Sequence, residues 1–125
     1  MLSSLLSWPG ISRRALAWLL PEGAPRRARV LDVGFLRPLK ALGHTVASPE
    51  QPAQLICARV PDKAEGLDLI SALRQYAGEL SDGGIVILRS PGKERERVAA
   101  AFLHAGLRDV EQTRIGRGYL TAGVV

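Results

Sequence analysis

The sequence predicts a small α/β domain of three layers, in which a mostly parallel sheet of five or six strands lies between helices and ends in an antiparallel hairpin. Short apolar runs alternate with segments of helical periodicity along most of the chain. The first of these runs ends in Asp32, Val33 and Gly34, a turn typical of a buried parallel strand that leads into a helix. Two strand-like segments near the end are joined by residues 116–118, Gly-Arg-Gly, which is a hairpin signal.

The composition is that of one globular domain. The chain has 125 residues, of which 46% are hydrophobic and 23% are charged, so it is long enough for a buried core and too apolar for a disordered segment. The formal net charge of +5 permits acidic partners, but the basic residues are spread along the chain and aromatic residues make up only 5%. Specific nucleic-acid binding is therefore not expected. The heavy use of alanine, arginine, glycine and leucine is typical of a GC-rich bacterial genome.

Two further features concern metals and location. Cys57 is the single cysteine, which excludes an internal disulfide and a zinc cluster of cysteines, and we expect no metal site. The leucine-rich residues 1–20 carry their positive pair, Arg13 and Arg14, in the middle of the segment, which is not the order of an export signal. No apolar run has the length of a membrane span. We expect a cytoplasmic protein without a membrane span.

Residues 1–25 are predicted to form an N-terminal helical extension and linker, ahead of an α/β domain over residues 26–125. Ser12 is a suitable cap for a helix over residues 11–20, because its hydroxyl can accept a hydrogen bond from the first turn. Residues 21–25 contain two prolines and a glycine and are expected to end this helix.

The extension also carries both tryptophans, Trp8 and Trp18. Large aromatic side chains are enriched where proteins dock, so this segment is a candidate contact surface for a partner. The alternative is that the helix covers a face of the domain's own sheet. In either case we expect Leu16, Trp18 and Leu19 to be buried, against the sheet or against a second chain.

The remaining elements follow from apolar spacing and from turn residues such as Gly43 and the Ser-Asp-Gly-Gly turn over residues 81–84. Strands are predicted over about residues 28–33, 43–48, 54–60, 85–88, 108–115 and 119–125, and helices over about residues 36–42, 67–80 and 93–105.

In this order the segments resemble the class I S-adenosylmethionine-dependent methyltransferases, over about residues 28–125. Residues 30–34, Val-Leu-Asp-Val-Gly, are similar to the start of the first motif of that family, where a strand opens the cofactor loop. Residues 72–87 are similar to the family's helix and glycine turn before its fifth strand, and residues 104–110 to the entry into its sixth. The resemblance implies a Rossmann-like methyltransferase fold with S-adenosylmethionine at the carboxyl ends of the strands.

The resemblance also implies three cofactor-binding residues, namely Asp32 for the amino group, Gly34 for the loop and Glu50 for the ribose. Each carboxylate has an alternative interpretation. Asp32 could accept hydrogen bonds from the amides of the following turn. Glu50 lies between a proline and a glutamine and could be a solvated loop residue.

The chain departs from the family pattern in two places. After Gly34 the family continues with a Gly-x-Gly pattern, whereas this chain continues with residues 35–38, Phe-Leu-Arg-Pro. Between Glu50 and the strand that begins at Gln54, the family normally has a helix, its third strand and another helix, which includes the acidic residue that reads adenine. These departures imply a pocket with one wall missing and a floor filled by side chains.

We therefore expect a degenerate member with no catalytic residue and no bound cofactor, which has lost catalysis and acts through protein contacts, as a homodimer or as a subunit of an assembly. The alternative is an active S-adenosylmethionine-dependent methyltransferase with an abbreviated cofactor site built from Asp32, Gly34 and Glu50.

Other chemistry-bearing residues have weaker patterns. His44 and His104 lie near no pattern of nucleophile and base. Cys57 lies inside an apolar strand and is expected to be a buried small hydrophobe rather than a nucleophile. Arg59 follows near the carboxyl end of that strand, where it could meet an anion or pair with an acidic residue among residues 62–65.

Overall fold

The structure is a computed structural model that describes residues 10–61 and 66–125. Its helices are α1 (Arg13–Leu19), α2 (Leu36–Ala41), α3 (Gly66–Gly78) and α4 (Arg95–His104). Its strands are β1 (Arg27–Val30), β2 (Thr45–Val46), β3 (Leu55–Arg59), β4 (Ile85–Pro91), β5 (Arg108–Ile115) and β6 (Gly118–Val124). Short 3-10 turns, Val33–Phe35 and Gly92–Glu94, precede α2 and α4.

The strands form one six-stranded sheet in the order β2-β1-β3-β4-β6-β5. The pairs β2–β1, β1–β3 and β3–β4 are parallel, and the pairs β4–β6 and β6–β5 are antiparallel. The predicted fold class, a mostly parallel sheet with an antiparallel C-terminal hairpin, is confirmed. No helix in the described part of the chain is both long enough and apolar enough to cross a membrane.

Helices cover both faces of the sheet, as predicted. The central strands β3 and β4 are apolar almost throughout, and their successive side chains enter two different core clusters. Leu55 and Cys57 belong to the cluster that includes residues of α1 and α2, whereas Ile56 and Ala58 belong to the cluster that includes residues of α3 and α4. The result is three layers with a core on each side of the sheet.

Helix α1 is part of the first of these cores. Its cap is the predicted one, because the Ser12 hydroxyl accepts a hydrogen bond from the amide of Ala15 at 3.1 Å. Leu16 and Leu19 are 0% and 7% exposed and pack in the core cluster, which confirms their predicted burial. Trp8 lies outside the described residues, and the division into an extension and a domain stays a prediction.

Trp18 differs from the prediction, because its side chain is 62% exposed. At about 100° per residue, the buried side of α1 is set by Ala15, Leu16 and Leu19, and Trp18 points away from it. The prediction that Trp18 is buried against the sheet of its own chain is wrong. Its burial against a second chain stays a prediction.

The boundaries of three strands differ from the prediction, and β2, which covers Thr45–Val46 rather than about residues 43–48, is the shortest of them. Strand β1 ends at Val30 rather than at residue 33, because Asp32 caps the 3-10 turn that follows. Strand β4 continues to Pro91 rather than ending at residue 88, because its last residues pair with β6.

The connection between β2 and β3 is short. Residues 47–54 contain neither helix nor strand, and β2 forms the edge of the sheet. A helix, a strand and a second helix are normal in this interval of the resembling family, and their omission was predicted. Among the described residues, β2 and this loop are therefore what lies beside the carboxyl end of β1 on that side.

Candidate functional site

A buried ion pair lies at the carboxyl ends of the parallel strands. Arg89 of β4 donates from Nε to Oδ2 of Asp32 at 2.9 Å and from Nη2 to Oδ1 at 2.8 Å. The two side chains are 10% and 3% exposed. Because β3 lies between β1 and β4, the pair bridges the central strand of the parallel region. Paired hydrogen bonds between a guanidinium and a carboxylate are strong and geometrically specific, so the two groups fix one another.

The Asp32 carboxylate has a second task in the turn that follows β1. Its Oδ1 accepts a hydrogen bond from the amide of Gly34 at 3.0 Å, which caps the 3-10 turn. The interpretation of Asp32 as an acceptor for turn amides therefore describes what the structure shows. It leaves out the guanidinium, which occupies both carboxylate oxygens.

Gly34 lies directly against this guanidinium. A Cβ atom added at Gly34 would lie 3.0 Å from Nη2 and 3.1 Å from Cζ of Arg89. A glycine at this position of the fold lets another group approach the backbone closely. Here the group that approaches is a side chain of the same protein.

The segment after Gly34 is part of the hydrophobic core. Phe35 and Leu39 are 0% exposed and Pro38 is buried. Phe35 and Leu39 belong to the same core cluster as Cys57 of β3. The departure from a glycine-rich loop thus has a packing role, because these side chains complete the core on the α1 and α2 side of the sheet.

The predicted cofactor residues are not all brought together. Asp32 and Gly34 contact each other, whereas Glu50 is solvent-exposed in the loop between β2 and β3. A role of the three residues in cofactor binding stays a prediction.

The remaining candidates have structural environments. Burial, together with the nearby negative charge of Asp32, raises the pKa of the Cys57 thiol far above its usual value, so the thiol stays protonated and is a poor nucleophile. His44 accepts a hydrogen bond at Nδ1 from the amide of Arg26 at 2.9 Å. Partial burial and the charge of Arg26 lower the pKa of His44. No group of side chains in the described residues could hold a metal ion.

Of two arginines at this end of the sheet, Arg59 was predicted as a candidate from the sequence and Arg89 was not. Arg59, a candidate from the sequence, is exposed and lies beside Arg89 in the β3–β4 register; residues 62–65, which include its predicted acidic partners, lie outside the described residues. Arg89 was missed because the strand was predicted to end at residue 88. The sequence does contain a signal for its burial. Arg89 is two positions after Ile87 and four after Ile85, so on a continuous strand it lies on the same core-facing side as these two residues. A charged residue on a core-facing position requires a buried counter-ion.

Comparisons with known proteins bear on the fold alone. No protein-family model matches the sequence, and no curated protein matches it at a significant level. Among solved structures, human N-acetylserotonin methyltransferase in complex with SAM matches with a TM-score of 0.64 and 10% identity, over 91% of this chain and 51% of that one. A 16S rRNA methyltransferase of T. thermophilus in complex with AdoMet and guanosine matches with a TM-score of 0.54 and 16% identity, over 90% of this chain and 38% of that one.

A methyltransferase from Pyrococcus furiosus matches with a TM-score of 0.55 and 11% identity, over 91% of this chain and 83% of that one. The chain therefore has the fold of the class I S-adenosylmethionine-dependent methyltransferases. It spans about half of the human protein, 51%, and a smaller share of the T. thermophilus protein, 38%.

Proposed function

We propose that this chain is a methyltransferase-like domain that does not transfer methyl groups and acts through protein contacts, as a homodimer or as a subunit of a larger assembly. The observation that carries the loss of catalysis is the buried pair of Asp32 and Arg89, whose guanidinium lies against Gly34. These groups stand where the resemblance implies the amino end of the cofactor.

The charges at this place do not suit S-adenosylmethionine. At neutral pH that cofactor carries a positive sulfonium, a positive ammonium and a negative carboxylate, so its net charge is positive and its ammonium group needs an uncompensated carboxylate. Asp32 is compensated by Arg89 and already accepts from the amide of Gly34. A cationic ligand therefore meets a neutral pair with a permanent positive charge inside it.

Opening the pair to admit a ligand is costly. Breaking a buried ion pair costs about 3–5 kcal/mol. Since each 1.4 kcal/mol is about tenfold in affinity, a ligand that separates Asp32 from Arg89 loses on the order of a hundredfold or more. A micromolar site would become a site of about millimolar affinity.

The geometry around the pair also lacks what methyl transfer needs. Much of the rate of such a reaction comes from holding the reacting atoms in line. Next to β1, the described part of the chain places the two-residue strand β2 and the loop over residues 47–54 on the side where the family pattern has further elements. This loop has few means to hold a nucleoside in one position.

Exposed apolar side chains support the protein-contact half of the proposal. Trp18 is 62% exposed on α1, and Leu31 and Val33 are 53% and 80% exposed on either side of Asp32. Tryptophan is enriched among the residues that dominate binding energy at protein interfaces. Trp18 is therefore the residue we expect at the centre of the contact.

Calorimetric titration of the full chain with S-adenosylmethionine and with S-adenosylhomocysteine tests the loss of cofactor binding. We expect no saturable heat of binding for either compound up to about 0.1 mM, where a micromolar site would be full. The second compound lacks the sulfonium charge. Binding of S-adenosylhomocysteine alone would show that the ion pair opens to admit a ligand, and that the positive charge of S-adenosylmethionine is what prevents its binding. Micromolar binding of both would refute the proposal.

Sedimentation equilibrium tests the contact. We expect a homodimer that dissociates in the Trp18→Ala variant and persists in the Leu103→Ala variant, a matched control because Leu103 is 64% exposed on α4. Equal effects of the two substitutions would contradict the placement of the contact on α1. A monomer at every concentration would contradict the homodimer and leave the subunit form of the proposal.

A second candidate function is an active methyltransferase with an abbreviated cofactor site. The fold favours it, because the solved structures that match the chain are methyltransferases. On this alternative, Glu50→Ala weakens the binding of S-adenosylmethionine, since a ribose contact is lost. Binding by the parent chain that Glu50→Ala leaves unchanged would remove Glu50 from the site.

A further inference from the structure

A cavity of about 500 Å³ lies at the opposite end of the sheet from the ion pair. Its lining comes from the start of β1, from the residues just before β3 and from the turn just before β4. The polar side chains among the lining residues are Arg26, Arg27, Gln54, Ser81 and Asp82. The volume lies in the range typical of small-molecule sites. Neither the fold comparison nor the proposed function assigns a role to this cavity.

Both arginines that line the cavity are anchored by backbone carbonyls. Arg26 donates from Nη1 to the carbonyl of Pro21 at 3.2 Å, and Arg27 donates from Nη1 to the carbonyl of Pro52 at 3.2 Å. Both residues are partly buried. Each of these hydrogen bonds uses one of the five N–H groups of a guanidinium, so the backbone anchors the side chain and leaves further donors for a ligand.

Gln54 is oriented by its neighbour. Its Oε1 accepts a hydrogen bond from the amide of Arg27 at 2.9 Å, so the oxygen is committed and the side-chain NH₂ group remains as a donor. The NH₂ group of Gln54 adds to the N–H donors of the two guanidinium groups. The cavity therefore presents donors from two neighbouring strands.

The positive charge at the cavity is only partly compensated. Among the described residues, the ion pairs are those of Arg89 with Asp32 and of Arg97 with Glu94, and neither involves Arg26 or Arg27. Asp82 is the acidic residue among those that line the cavity. Two arginines against one aspartate leave a net charge that attracts an anion.

We propose that this cavity binds a small phosphate-bearing ligand that also carries hydroxyl groups, of the size of a sugar phosphate. The fork of a guanidinium matches the oxygen spacing of phosphate, and two arginines, Arg26 and Arg27, line the cavity. Ser81 and Asp82 supply a hydroxyl and a carboxylate, which suit the hydroxyl groups of a sugar. The mainly polar lining disfavours a ligand with a large apolar body.

Titration of the full chain with ribose 5-phosphate, followed by NMR of backbone amides, tests the inference. We expect saturable shifts at the amides of Gln54, Gly83 and Gly84, with ribose and inorganic phosphate each binding at least about tenfold more weakly. Absence of saturable shifts with ribose 5-phosphate would overturn the proposal. Inorganic phosphate that binds as tightly as the sugar phosphate would overturn the role of Ser81 and Asp82 in holding hydroxyl groups.

A pair of isosteric variants tests the location. Gln54→Glu keeps an oxygen acceptor for the amide of Arg27 and replaces the NH₂ donor by a negatively charged oxygen, so the affinity for ribose 5-phosphate should fall by about tenfold or more. Gln75→Glu makes the same charge change at an exposed position of α3 and should leave the affinity unchanged. Equal losses in both variants, or no loss in Gln54→Glu, would show that the ligand does not bind in this cavity.

Discussion

The two ends of the sheet use arginine in opposite ways. At the carboxyl ends, Arg89 is paired with Asp32 and the pair is buried. At the amino ends, Arg26 and Arg27 donate hydrogen bonds to backbone carbonyls beside an open cavity. The carboxyl ends, where doubly wound folds normally bind ligands, thus carry a buried ion pair between two of the protein's own side chains. Arg89 has a buried carboxylate partner, whereas no ion pair among the described residues involves Arg26 or Arg27, and we infer that the missing counter-ion leaves these two guanidinium groups to a ligand.

The largest expected effect is that of Arg89→Ala. The substitution leaves the Asp32 carboxylate, whose side chain is 3% exposed, without its guanidinium. Stability should fall by about 3–5 kcal/mol, measured by urea denaturation. The control Arg114→Ala removes an exposed arginine of β5 and should change stability by less than about 0.5 kcal/mol. Similar losses in the two variants would show that the pair at the carboxyl ends is not special.

Removal of both charges should cost much less than removal of one. In Asp32→Asn/Arg89→Met the asparagine keeps an acceptor for the amide of Gly34, and the methionine fills most of the space of the arginine. Because no charge is left buried, we expect a stability within about 2 kcal/mol of the parent chain. A double variant as unstable as Arg89→Ala would mean that the shape of the arginine, and not its charge pairing, holds this end together.

Gly34→Ala should have an effect that depends on Arg89. The new Cβ would lie 3.0 Å from the guanidinium, so the guanidinium must shift, and the expected loss is about 1–2 kcal/mol. In an Arg89→Ala background the contact is gone, and the same substitution should be neutral or slightly stabilising, since alanine suits a helical turn better than glycine. Equal effects in the two backgrounds, measured by denaturation, would contradict the close contact.

The smallest expected effect is at the amino end and depends on pH. Because partial burial and Arg26 lower the pKa of His44, the unfolded chain binds a proton at this residue more readily than the folded chain. The contribution of His44 to stability is therefore present above the unfolded pKa, about 6.5, and is lost as the pH falls toward the lowered folded pKa. Comparison of the parent chain with His44→Gln at about pH 7.5 and pH 5.5 measures it. If the stability of the parent chain relative to His44→Gln increased between about pH 7.5 and about pH 5.5, the predicted direction of the pH dependence would be wrong.

Much of the fold could be predicted because its signals are local. The apolar runs of β3 and β4 predict buried parallel strands, and residues 116–118 predict the final hairpin. The helix cap at Ser12 and the bulky residues after Gly34 are local sequence signals as well. The burial of Trp18 against the sheet of its own chain was wrongly predicted, because an apolar residue on a short helix does not reveal which side of that helix faces the sheet.

The site was less predictable because its contacts are distant in sequence. Asp32 and Arg89 are separated by 57 positions and meet across an intervening strand. Only the alternation of β4 indicated that Arg89 faces the core. The cavity is still less visible, because it is lined by three separate segments around residues 26–27, 52–54 and 81–84 that carry no common motif.

The most direct test of the central claim is an NMR measurement of the Arg89 Nε–H group. Its hydrogen bond to Oδ2 of Asp32 at 2.9 Å is buried, so we expect a sharp resonance that exchanges slowly with water. Addition of S-adenosylmethionine to about 0.1 mM should leave its position and its exchange rate unchanged. A shift of this resonance that saturates with the cofactor, together with faster exchange, would show that the pair opens to admit the cofactor and would contradict the account.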